Sequence, residues 1–214
     1  DGLVLDVKVG CGAFMRTREQ ARELARAMVE TGKAMGKTVH ALLTDMDEPL
    51  GRTAGNTLEV IESIETLAGR GPQDVLDVTL ELGAHMLMIG GICTGREEAF
   101  SLMRRKITSG EALAKFREMV VLHGGDPAFV DEPARFRRAD FVSEIPALAD
   151  GWVSSVNAEL AGRACVLLGA GRMRVEDAVD FTVGVSGLVK SGEKVARGAP
   201  LMKVHAGDRQ KLDQ

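Results

Sequence analysis

Two charged residues sit inside an apolar run near the start of the chain. Leu3 to Val9 is rich in valine and reads as a buried strand, yet it carries Asp6 and Lys8. A buried charge is costly unless it is paired, so both need partners or an opening onto a cleft. The run ends in Gly10-Cys11-Gly12, a turn with almost no side chain, where glycine admits positive φ and the close approach of a second group. In open α/β sheets ligands sit beyond the carboxyl ends of the strands. Pattern alone allows such a cleft or a plain strand-to-helix turn. The second group is Asp45, Asp47 and Glu48, in a loop spanning 44–55. Loop carbonyls with a nearby carboxylate suit a hard cation; a solvated acidic turn is the simpler alternative.

The remaining reactive residue types are isolated. Cys11, Cys93 and Cys165 are far apart, odd in number and without a C-x-x-C pair, which argues against a disulfide framework or a zinc site. Cys11 adjoins the expected cleft but has no evident histidine partner, so it reads as a filler and not as a nucleophile. His85 falls on or beside the apolar face of a helix and reads as a core or edge residue. There is no H-E-x-x-H, no Walker A and no G-x-G-x-x-G opening a helix.

The elements that must hold these residues follow from periodicity. A helix is predicted over 17–36, opened by a capping box of Thr17 and Gln20. A strand over 38–43 completes a βαβ unit, parallel and right-handed by default. Asn56 is a candidate N-cap for a helix to about Leu67. Further helices are expected over 73–88, from a Thr94/Glu97 capping box to Ile107, and over 111–122 with Phe116, Met119 and Val120 inward. They are expected to cover one face of the sheet. Residues 152–156, 181–185 and 201–205 read as strands, and Asn157 caps a helix over 158–168. The fold class is therefore α/β and α+β: a mixed sheet covered by helices, then a smaller, mostly β C-terminal domain. The expected division is an α/β domain over 1–130, a linker over 131–150, an α+β domain over 151–207 and a fraying polar tail over 208–214.

Composition excludes several classes of function. A net charge of −4 gives no basic surplus for nucleic acid or an anionic membrane. Aromatic residues are 4%, too few for base-stacking platforms. No apolar run reaches the ~18 residues of a membrane span, and Asp1-Gly2 lacks the pattern of a signal peptide. Unpaired cysteines favour a reducing compartment, hence the cytoplasm. A strand that begins almost at residue 1 needs neighbours from elsewhere, so the chain is expected to be part of a longer protein.

Asp6-Val-Lys-Val-Gly-Cys-Gly-Ala-Phe-Met15 resembles the D-V-K-x-G-x-G-A-F-M stretch of thymidine and pyrimidine-nucleoside phosphorylases. Leu42 to Gly51, Ala54-Gly-Asn56 and Leu58-Glu-Val60 resemble the family's next block. Leu168 to Arg172, Asp180 with Val183-Gly184, and Gly198 to Ala206 resemble its C-terminal blocks. The resemblance runs through essentially the whole chain, in order. It implies the C-terminal portion of a pentosyltransferase that makes free pyrimidine and a pentose 1-phosphate from a nucleoside and phosphate. It also implies a homodimeric parent whose phosphate and base contacts lie upstream, leaving no catalytic residue here and a chain inactive by itself. Phe14 falls on a phenylalanine that packs against the pyrimidine; without the resemblance it reads as a core aromatic anchoring the turn. For the family's potassium ion, Leu50 and Thr53 fall on carbonyl ligands and Glu62 on a carboxylate ligand, the other ligands being upstream. Thr53 stands where alanine is common, which does not affect a carbonyl ligand.

A second resemblance is local. Val189 to Ala206 is similar to the barrel-sandwich, or hammerhead, pattern of biotinyl and lipoyl carrier domains. Where those domains carry a modified lysine, this chain has His205-Ala-Gly-Asp208, so only the architecture is expected to be shared. The alternatives to the phosphorylase reading are a phosphoribosyl-transferring relative and a non-enzymatic binding or regulatory module with that architecture.

Overall fold

In the computed structural model, which describes residues 2–212, strands β1 (Gly2–Val9) and β2 (Thr38–Asp45) pair in parallel. The register runs from Gly2 opposite Thr38 to Val9 opposite Asp45. Helix α1 (Arg18–Ala34) is the crossover between them. Its N-terminus has both halves of the capping box: the Thr17 side chain accepts from Gln20 N, and the Gln20 side chain accepts from Thr17 N. Ala21 and Ala25 of α1 pack on Val7, with Leu5, Val9 and Ala41 around them. Two alanines let the helix lie close to the strands. His40 points to the opposite face, where its Nδ1 meets His85 Nδ1 at 2.9 Å on α3 (Gln73–Ile89).

Helix α2 (Asn56–Leu67) precedes α3; α4 (Arg96–Thr108), α5 (Glu111–Leu122) and the short α6 (Ala128–Asp131) follow it. Only α3 of these rests on the β1–β2 pair; α4 packs on α3 through Ala84, Cys93 and Ala99, and α5 packs on α4 and α2. The expectation that the whole helical stretch covers the sheet is thus corrected, because two strands offer room for one helix per face. Helix α5 buries none of its residues, and Met119 is exposed. The cap expected at Asn56 is Gly55 instead, and the Asn56 side chain donates to Ala170 O. The capping box expected of Thr94 and Glu97 is shifted by one: Glu98 accepts from both Thr94 N and Thr94 Oγ1.

After a 3-10 turn at Pro133–Arg135 come β3 (Phe141–Pro146), β4 (Gly151–Trp152), α7 (Ala158–Leu168), β5 (Gly184–Ser186), β6 (Lys194–Val195) and β7 (Pro200–Ala206). Strands β3, β7 and β5 form one antiparallel sheet with β7 central, and β4 pairs with β6 in another. The stretch 131–150, expected to be a linker, thus contains a strand, set by its antiparallel pairing with β7 and not by a local pattern, since all six of its residues are exposed. The strand expected over 152–156 stops at Trp152, since only Gly151 and Trp152 find partners on β6. The strand expected over 181–185 is displaced to 184–186.

No mixed sheet forms among the described residues; parallel pairing belongs to the first half and antiparallel pairing to the second. The core of the second half joins α7 to β5 and β7 through Cys165, Leu168, Val183, Val185, Leu188 and Ala206. Of the expected fraying tail, Leu212 packs on this core and Lys211 Nζ donates to Leu168 O at 3.0 Å; residues 213 and 214 lie outside the described residues. No described helix is long and apolar enough to cross a membrane.

Candidate active site

The turn after β1 is built from backbone bonds and not from a packed aromatic. Gly10 N donates to Met15 O at 3.0 Å, Ala13 N to Gly10 O at 3.1 Å and Gly12 N to Met46 O at 2.9 Å. Gly10 has φ 138°, and a Cβ there would lie 2.6 Å from Asp47 N, so no other residue fits without strain. Asp47 Oδ1 accepts from Cys11 N at 2.7 Å, and Asp47 O accepts the Cys11 thiol at 3.1 Å and Ala158 N at 2.9 Å. The loop after β2 therefore holds both the glycine turn and the start of α7.

Beyond this turn lies a cavity of about 560 Å³ lined by β1, the turn, α1 and Glu159. Asp6 and Lys8 both line it and pair with each other at 2.8 Å, while Thr44 donates to Asp6. Both outcomes allowed by the sequence hold together: the charges are paired, and they open onto a cleft. Arg16 donates to Cys11 O and pairs with Glu159 at 3.1 Å, tying the turn to α7. Phe14 stands at this cavity with 98% of its surface exposed. It is not a core aromatic, because the backbone bonds already fix the turn.

The other predicted site residues lie elsewhere. Glu62 is on α2, facing the 50–53 loop, and no residue lines both its cavity and that of Phe14. Glu62 Oε1 accepts from Arg52 N at 2.9 Å. Burial pushes the Glu62 carboxyl above its ordinary range, and the Arg52 N–H only partly offsets this. Among the described residues nothing donates a hydrogen bond to Leu50 O or Thr53 O, and Thr53 Oγ1 is buried without a partner. Two free carbonyls, an orphaned hydroxyl and a carboxylate form an oxygen donor set of the kind a hard cation takes. No three His, Cys, Asp or Glu side chains cluster as a metal site among the described residues.

This loop is also where the two halves of the chain are joined, by residues that the sequence did not single out. Lys190 pairs with Asp74 at 2.8 Å and donates to Pro49 O. Arg52 pairs with Glu193, which the guanidinium and the Lys190 N–H hold down at about 2. Ser191 N and Oγ donate to Glu48 at 3.1 and 2.8 Å. The acidic loop is thus neither free in solvent nor a chelating cluster: Asp47 and Glu48 are spent on tertiary contacts. Partners more than a hundred residues away leave no local signal.

The comparisons with known proteins agree with this layout. A family model described as "Glycosyl transferase family, a/b domain" matches residues 1–113, and "Pyrimidine nucleoside phosphorylase C-terminal domain" matches 152–214. The chain is 41% identical over 214 residues to a pyrimidine-nucleoside phosphorylase of Bacillus subtilis (strain 168), covering 100% of this chain and 49% of that protein. It is 41% identical over 213 residues to the protein of the same name in Staphylococcus aureus (strain USA300), again covering 49% of it. The chain thus spans about half the length of the curated relatives it matches. With the glycosyl transferase model over more than half of its length, this chain belongs to the glycosyl transferase family of that a/b domain, and its C-terminal part matches the pyrimidine nucleoside phosphorylase C-terminal domain.

Proposed function

We propose that the chain is the C-terminal, larger part of a pyrimidine-nucleoside phosphorylase, in which the Phe14 cavity receives the nucleoside. In that reaction a phosphate oxygen attacks the anomeric carbon, the carbon–nitrogen bond breaks, and the base leaves with the electron pair. Such a displacement asks mainly for positioning and charge stabilisation. The observation that carries the reading is a fully exposed phenylalanine, on a turn that does not need it, beside a cleft at the carboxyl end of a parallel strand. Of the cations in that cleft, Lys8 is paired with Asp6 and Arg16 with Glu159. The phosphate contacts therefore come from residues outside these 214, and the chain alone does not catalyse the reaction. The domains run over 1–130 and, with β3 added to the expected 151–207, over 141–207, the latter of barrel-sandwich or hammerhead type, a reading favoured by its two small antiparallel sheets. The whole protein is taken to be a cytoplasmic homodimer.

The test is phosphorolysis of thymidine and uridine by the longer protein and by the 214-residue chain. Base release by the former only, and only with phosphate, is the expected result; release by the chain alone overturns the assignment of the phosphate site. Phe14→Ala should leave the unfolding free energy of the chain within about 0.5 kcal/mol of the original, since an exposed side chain away from special features contributes little. In the longer protein the same change should lower kcat/KM for the nucleoside at least tenfold by loss of stacking and packing.

Leu50, Thr53 and Glu62 are proposed to hold a potassium ion through two carbonyls and a carboxylate, and the ion supplies the positive charge that the half-buried Glu62 carboxylate lacks. Glu62 carries a raised pKa, so the unfolded chain ionises it more readily, and stability falls as pH rises from 4.5 through the folded value. Glu62→Gln should therefore raise the melting temperature at pH 7 in the absence of potassium. It should also abolish any stabilisation by potassium chloride over tetramethylammonium chloride at equal ionic strength. A variant that still responds to potassium removes Glu62 from the site.

A further inference from the structure

A cavity of about 410 Å³ lies between α2, the 137–138 segment, β5 and β7. Its wall carries Arg52, Arg70, Arg137 and Arg138 against the carboxylates of Glu62 and Glu65. Both carboxylates are already engaged: Glu65 pairs with Arg70 at 2.6 Å, and Glu62 accepts from Arg52 N. Arg137 and Arg138 make no ion pair among the described residues, unlike Arg52 and Arg70. Asp180, a carboxylate that feels the charge of Arg137, spends Oδ1 on the N–H and hydroxyl of Thr182, at 2.9 and 2.7 Å. The positive field also reaches His205: burial first, then Arg138 and Lys203, push its imidazole below the ordinary range. Its Nε2 meets Ser186 Oγ at 2.7 Å. Arg137 and Arg138 thus line one cavity without an ion pair of their own among the described residues, Asp180 acting on Arg137 only at longer range.

The rest of the lining fits more than a bare anion. Thr53 Oγ1 is buried there, near enough to Glu62 to help hold its carboxyl down but without a well-formed hydrogen bond, and so is open to a better partner. Thr182 and Ser186 add hydroxyls, and Leu58, Ile61 and Val142 add apolar surface. Guanidinium forks match phosphate oxygens two at a time, and the two unpaired arginines carry the charge that a phosphate dianion cancels. We propose that this cavity binds a phosphomonoester of a small polyol or sugar, its phosphate on Arg137 and Arg138 and its hydroxyl-bearing body against Thr53, Thr182 and Ser186. The cavity shares no residue with that of Phe14; Thr53 and Glu62 of the proposed potassium site also line it, and the arginine variants below leave both untouched and so test the phosphate by itself.

The test is a titration of the 214-residue chain with glycerol 3-phosphate at constant ionic strength, followed by amide NMR. The expected result is saturable shifts at Thr182, Ser186 and His205. The double variant Arg137→Gln/Arg138→Gln should bind at least tenfold more weakly, while Arg104→Gln, a change to another arginine without an ion pair, on α4, should bind as the original. If the double variant does not fold, the two single variants replace it, each with a loss of at least threefold. Inorganic phosphate should bind at least threefold more weakly than glycerol 3-phosphate. Equal affinity for the two overturns the phosphomonoester in favour of a bare phosphate site. Absence of saturation, shifts confined to other residues, or unchanged binding by the arginine variants overturns the site itself.

Discussion

Replacing Gly184 with valine should lower the stability of the chain by about 4 kcal/mol, as strain at a glycine-only conformation adds to a steric clash in the core. Gly184 has φ 146°, and a Cβ there would overlap Ala54 O and come within 2.9 Å of Gly55 Cα. The two backbones are this close because Ala54 and Val185 exchange hydrogen bonds in both directions, at 2.9 and 2.8 Å. Val183 and Val185, on either side, are fully buried. A side chain at Gly184 must therefore push the 54–55 segment away and open the core that joins α7 to β5 and β7. The measurement is the urea midpoint at constant slope. Gly187→Ala is the comparison: φ is 62°, but a Cβ there meets nothing within 4 Å, so only the backbone cost of about 1 kcal/mol is expected. Similar losses at the two positions would refute the close approach at Gly184.

Lys190→Ala should cost about 2 kcal/mol, the largest effect expected of any single ion pair here. The Lys190 side chain is only 14% exposed; it pairs with Asp74 and donates to Pro49 O. Truncation leaves a partly buried carboxylate and a carbonyl without their donor. Removing one partner of a fully buried pair costs about 3–5 kcal/mol; Asp74 is 38% exposed, and water compensates part of the loss. Burial by itself pushes the Asp74 carboxyl up, but the hydrogen bonds from Lys190 and Gly51 N overcome this and hold it below its ordinary 3.8. A depressed carboxyl contributes stability above 3.8 that is lost as pH falls through the folded value. The gap between Lys190→Ala and the original should therefore be widest near neutral pH and narrow below about pH 3.8. A double-mutant cycle with Asp74→Ala should show a coupling of about 1 kcal/mol. A gap that does not change with pH would mean that Lys190 acts by packing alone.

Several features of the fold were legible because their causes are local. The capping box at Thr17 and Gln20, the Asn157 cap, the βαβ unit and the helix over 73–89 each depend on residues within one or two turns of each other. Misplaced elements are those whose limits are set by pairing. The strand expected over 152–156 loses its last residues for want of partners on β6, and β3 gains strand status from β7, about sixty residues later in the chain. Among the site residues, Phe14 was placed by resemblance to a family motif. Its exposure could not be read from the sequence, where the same residue serves equally well as a core anchor.

By itself the sequence determined the order of the elements through α5, the crossover, the glycine turn with Phe14 on it, and the family resemblance. These rest on short-range periodicity, capping and motif spacing, and each survives without knowledge of distant partners. The tertiary structure alone decided what the charged residues do. Asp6 and Lys8 pair across one strand, whereas Arg16 meets Glu159, Arg52 meets Glu193 and Lys190 meets Asp74 across more than a hundred residues. An ion pair acts over a few ångströms and carries no periodicity. Its partner can be named only after the backbone has brought the two ends together.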